Sequence, residues 1–69
     1  GQSIFILDGD TKVPLPDVNI FNENQGTTTD NNGICKIDDF DSNSIITFSL
    51  IGYKILTLPK SEVPRILYL

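Results

Sequence analysis

Apolar and polar residues alternate along much of this 69-residue chain with the period of two that marks a half-buried strand, and Gly, Pro, Asn or Asp break the rhythm every few positions. Residues 45–51 (IITFSLI) show it most clearly, with Ile46, Phe48 and Leu50 on one face and Thr47 and Ser49 on the other. Residues 17–22 put Val18 and Ile20 on one face and Asn19 on the other, with Phe21 out of phase, and residues 34–37 direct Cys35 and Ile37 the same way. The stretch 3–8 (SIFILD) is apolar on both faces, which predicts a strand central in its sheet. Shorter runs at 27–29, 53–58 and 65–69 complete a set of seven predicted strands. Between them lie the loop 9–16 (GDTKVPLP), whose prolines force extended backbone without ladder donors, a bend or bulge at Gly52, and the breaker PKSEVP at 59–64.

Helix has no place in this pattern. Gly and Pro recur at 9, 14, 16, 26, 33, 52, 59 and 64, and the longest interval without them, 34–51, is cut by DDFDSNS and rich in β-branched residues. Short strands at roughly 8- to 12-residue spacing predict an all-β fold, a seven-stranded antiparallel β-sandwich forming one domain over residues 1–69. A domain this small buries only about 60% of the surface of its unfolded chain. That leaves little room for the clefts of about 300 Å³ or more that small-molecule sites need, so a binding surface is expected in place of an active-site cavity. Starting at Gly1 without Met and ending on the apolar ILYL, the sequence reads as a piece cut from a longer protein.

Composition narrows the chemistry further. The net charge of −4, from nine acidic and five basic residues, predicts repulsion of nucleic acid. The absence of His removes the commonest general base and metal ligand, and a single Cys can form neither an internal disulfide nor a multi-thiolate zinc site. No apolar run approaches the 18 or so residues of a membrane-spanning helix.

The stretch GTTTDNNGICKI at 26–37 invites three readings. As a calcium loop it would place Thr28, Asp30, Asn32 and Asp39 at ligand positions with Gly33 at the turn, but it lacks the first carboxylate, closes on an acid one methylene short and has no flanking helices. As a phosphate loop it fails, because Ile34 and Cys35 stand where Lys and Ser or Thr are needed. The third reading is a hairpin corner, with Asn32-Gly33 in a type I′ turn and Asp30 bonding the turn backbone. We expect the third.

The remaining constellations read the same way. Asp38, Asp39 and Asp41 form a solvated acidic loop more readily than a cation site, and Asp8, Asp10 and Asp17 have no cleft in which to act as paired carboxylates. Cys35 alternates in phase with Ile37 and has no His to pair with, so it is expected as a buried structural thiol. Tyr53 is expected to pack on the core beside Gly52, whereas Phe21 could be either core or an exposed platform. No catalytic, cofactor-binding or metal-binding residue is expected, and no enzymatic activity.

Read together, PLPDVNIF at 14–21, GTTTDNNG at 26–33 and ITFSLIGYK at 46–54 resemble the PLPGVNV, GTxTDxxG and LxFSxIGY segments of the carboxypeptidase-D regulatory-like domain, in order and in spacing. Pro14, Leu15, Pro16, Val18, Asn19, Gly26, Thr27, Thr29, Asp30, Gly33, Phe48, Ser49, Ile51, Gly52 and Tyr53 match. Ile4 and Asp17 depart from it, each standing where the family has Gly.

The resemblance implies a transthyretin-like sandwich without catalytic residues. It also implies an accessory module of a cell-envelope protein, as at the periplasmic N-terminus of TonB-dependent outer-membrane nutrient receptors, with other domains of its parent or an envelope protein as partners. The alternative is a carbohydrate- or ligand-binding module using loops around Phe21 and Phe40. The segment 65–69, short and poorly guarded by charge, is the edge where a partner strand is expected to add.

Overall fold

A computed structural model describes residues 3–69. Seven strands follow one another along the described chain: β1 (Ser3–Leu7), β2 (Asn19–Phe21), β3 (Gly26–Thr28), β4 (Ile34–Lys36), β5 (Ile45–Ser49), β6 (Leu56–Pro59) and β7 (Ile66–Tyr68), with one turn of 3₁₀-helix at Lys60–Glu62. They form a three-stranded sheet in the order β4-β1-β7 and a four-stranded sheet in the order β3-β2-β5-β6. The fold is all-β, and the apolar stretch 3–8 supplies the central strand of its sheet, as its two-sided apolarity predicts.

Two expectations need correction. The strands are not all antiparallel, because β1 pairs with β7 in parallel, with Phe5 opposite Ile66 and Leu7 opposite Tyr68. The route of the chain explains this. β6 ends beside the start of β5, where the Lys60 N–H donates to the Ser44 carbonyl (2.9 Å). From there the chain enters the other sheet at the end where β1 begins, and so runs in the same direction.

The second correction concerns the 26–37 corner. Asn32 does not adopt positive φ; only Gly33 does (φ 75°), so the turn is not type I′. The Gly33 N–H donates to the Asp30 carbonyl (3.0 Å), the Asp30 N–H donates to the Ile34 carbonyl (3.0 Å), and the left-handed Gly closes the loop. Nor does it join a hairpin. β3 pairs with β2 and β4 with β1, so the corner carries the chain from one sheet to the other.

Several strands are shorter than the sequence suggests. β2 starts at Asn19 because Asp17 lies at φ 62°, outside strand conformation. β6 begins at Leu56, because residues 50–53 are spent on a turn in which the Tyr53 N–H donates to the Leu50 carbonyl (3.0 Å) and Gly52 takes φ 93°. Both sheets feed one core: Ile4, Ile6, Cys35 and Leu67 from the first, Ile20, Ile46 and Phe48 from the second, joined by Val18, Ile37, Phe40, Leu15 and Val63. Ile46, Phe48 and Leu50 face inward as their alternation requires.

Candidate functional site

The motif residues spend their polar groups on the fold itself. Thr29 is buried, its hydroxyl donating to the Leu15 carbonyl (2.6 Å) and accepting from the Val18 N–H (3.0 Å). Its own N–H and carbonyl bond Val18 and Asp17, so the GTTTD and PLPDV stretches are stitched together at one residue. Asp17 lies in left-handed backbone (φ 62°), which a short Asp tolerates better than most side chains. Gly33 is crowded as well as left-handed: a Cβ there would lie 2.7 Å from the Ile6 carbonyl oxygen and 3.1 Å from the Leu15 nitrogen.

Asp8 and Tyr53 meet across the two halves of the molecule. The Tyr53 hydroxyl donates to Asp8 Oδ2 (2.6 Å), while Asp8 Oδ1 accepts from the backbone N–H groups of Asp10 and Thr11. The Tyr53 bond, followed by those two N–H groups, lowers the Asp8 carboxyl from 3.8 to about 2. The same bond, with some burial, raises the Tyr53 phenol above its ordinary 10.0. Tyr53 packs against the core, as expected.

The other candidates fall apart as sites. Asp30 Oδ1 accepts from the N–H groups of Asn32 and Ile34, so its carboxylate holds the corner. Cys35 is buried, and burial, aided by the charge of Asp30, pushes its thiol up to about 11, which keeps it protonated and unreactive. No group of three metal-ligating acidic, His or Cys side chains gathers among the described residues. An open polar groove of about 570 Å³ lies between residues 22–25 and 39–45, braced by Asn22 Nδ2 donating to Ser44 Oγ (3.0 Å) and Gln25 Nε2 donating to the Asp39 carbonyl (3.0 Å).

Of the two aromatics whose loops were suggested for ligand binding, Phe40 does not offer its ring. It is only 4% exposed, because its neighbouring acids stay in solvent while its ring joins the core. Phe21 is 41% exposed. It shares the outer side of the four-stranded sheet with Asn19 and Thr47, and its Cβ would lie 3.3 Å from a Cβ on Gly26.

The remaining feature is the outer face of the three-stranded sheet. Registers Phe5↔Ile34, Phe5↔Ile66 and Leu7↔Tyr68 set an apolar row across all three strands, with Ile34, Ile66 and Tyr68 exposed. A groove of about 400 Å³ runs over it, lined by Ser3, Ile4, Phe5, Ile34, Arg65 and Ile66. β7 forms one edge of this sheet. Its bonds to β1 run through the Arg65 carbonyl (to Phe5 N–H, 2.8 Å) and the Leu69 N–H (to the Leu7 carbonyl, 3.0 Å), which turns the N–H and C=O groups of Ile66 and Tyr68 toward the open side.

Sequence reasoning located this edge but missed the apolar face beside it. The signal was present: a strand apolar on both faces, in a chain too short to cover both sides of its sheet, leaves one side in water. No family model, curated protein or solved structure matches the chain.

Proposed function

We propose that the chain is a non-catalytic accessory module of a cell-envelope protein, a seven-stranded β-sandwich of the transthyretin-like, carboxypeptidase-D regulatory-like kind. In this reading it serves as the periplasmic N-terminal domain of a TonB-dependent nutrient receptor. There it positions another protein, or another part of its parent, by strand addition at β7. The observation that carries the reading is the open β7 edge, with the backbone groups of Ile66 and Tyr68 directed outward beside an exposed apolar face.

The fate of the motif residues supports it. Thr29, Asp30, Gly33 and Tyr53 are occupied in hydrogen bonds or close packing, which is the behaviour of an architectural pattern. The test is deletion of the module from its full-length parent. Assembly, coupling or transport should fall while ligand affinity stays nearly unchanged; unimpaired transport, or affinity lost along with the module, overturns the proposal.

A second reading rests on Phe21, an exposed ring on a face that also carries Asn19 and Thr47, an arrangement suited to stacking against a sugar. Micromolar binding of an oligosaccharide to the isolated chain, abolished by Phe21→Ala, would put a carbohydrate-binding module in place of the first reading.

A further inference from the structure

On the outer face of the three-stranded sheet this acidic chain gathers cations around apolar surface. Its strands carry no Asp or Glu. Lys36 projects from β4 opposite Ser3, Arg65 lines the groove at the start of β7, and Lys12 holds its Nζ 4.6 Å from the centre of the Tyr68 ring near the other end. Lys36 and Arg65 thus lie beside the row formed by Ile34, Phe5 and Ile66, and Lys12 lies over Tyr68. That puts three of the five basic residues on this sheet, in a chain whose net charge is −4.

We propose that the strand β7 accepts is an acidic, amphipathic extended segment of a partner protein, with apolar side chains at alternate positions and carboxylates toward both ends. This deepens the strand-addition reading and rests on it. A segment lying beside β7 takes main-chain bonds from Ile66 and Tyr68 and sets every second side chain on the outer face, continuing the apolar row by one more column. Its terminal carboxylates then fall near Arg65 at one end of β7 and Lys12 at the other. Apolar contact and backbone bonds supply affinity, and the cations select the partner and its register.

The same charges argue against other occupants. A second copy adding through β7 would bring two cationic faces together, and β7 offers no carboxylate of its own to relieve them. Nucleic acid has no peptide backbone to pair with the outward N–H and C=O groups of Ile66 and Tyr68. A lipid surface has no use for the directed N–H and C=O groups of an open strand.

The test is an NMR titration of the isotopically labelled 69-residue chain, which registers even millimolar binding, with a short synthetic peptide of alternating valine and threonine ending in glutamates. Binding should perturb Ile66, Tyr68 and Arg65, weaken as salt rises, and weaken about tenfold when lysines replace the glutamates. Arg65→Glu with Lys12→Glu, the two exposed cations beside β7, should reverse that preference, with the amide spectrum of the variant checking that the fold is kept. Ile66→Pro, which removes an outward N–H from an edge strand, should abolish binding of every version.

Equal binding of the acidic and basic peptides, still abolished by Ile66→Pro, overturns the acidic partner and leaves strand addition standing. Failure of all peptides, or binding that survives Ile66→Pro, removes the strand-addition reading and this inference with it. Binding to phosphatidylglycerol vesicles in place of peptide overturns both in favour of a membrane surface.

Discussion

Thr29 shows how much one side chain can hold in a small domain. Its hydroxyl is shared between a buried carbonyl and a buried N–H, and removing it orphans both. Thr29→Val should therefore cost about 2 kcal/mol or more, whereas Thr29→Ser, which keeps both bonds, should cost about 1 kcal/mol or less. Urea denaturation of the two variants checks this, and equal midpoints would refute it.

The glycines offer a second comparison at the same scale. Gly52 takes φ 93° with open space around it, so Gly52→Ala pays only the left-handed strain of about 1–2 kcal/mol. Gly33 adds the clash with Ile6 and Leu15 to a similar strain, so Gly33→Ala should be the costlier by about 1 kcal/mol or more, and Gly33→Val worse again. The same denaturation series orders them.

Asp8 and Tyr53 contribute to the pH response, beside the raised thiol of Cys35. The folded Asp8 carboxyl titrates below its unfolded value, so its contribution is whole above pH 3.8 and is lost as pH falls toward about 2. Tyr53 is raised, so its contribution is whole below pH 10.0 and is lost as pH rises through the folded value. In Tyr53→Phe the Asp8 titration followed by NMR should move up toward 3.8; an unmoved titration would show that the hydroxyl does not hold the carboxylate.

At the scale of elements, the edge strand β7 makes a directional prediction. The Leu67 side chain is buried and its strand is bonded to β1 on one side only, so amides should alternate in hydrogen exchange, slow at Leu67 and Leu69 and fast at Ile66 and Tyr68. Uniform protection would mean the edge is already covered. The corner at 30–33 makes a different point. Its Asp-Asn-Asn-Gly sequence suits a turn, and a turn is what forms, but the strands on either side belong to different sheets. Local chemistry chose the bend and could not choose the partners.

Over the whole molecule, the two sheets share one core and are tied by Asp8 with Tyr53 and by the crossing at residues 29–33. They should unfold together, so far-UV circular dichroism and tyrosine fluorescence should give coincident denaturation curves. Separate transitions would mean that each sheet stands alone.

The sequence by itself determined that the chain is all-β, that β1 is a central strand, and that Val18, Ile20, Cys35, Ile46 and Phe48 face inward. Those features follow from a period of two and from the transfer of apolar side chains out of water, both of which act over neighbouring residues. Only the tertiary structure decided that β7 lies parallel to β1, that Phe40 turns into the core from an acidic loop, that Asp8 finds Tyr53, and that Phe5, Ile34 and Ile66 align into one exposed row. Each depends on which distant segments the chain brings side by side, and a side chain's own sequence neighbours carry no record of that choice.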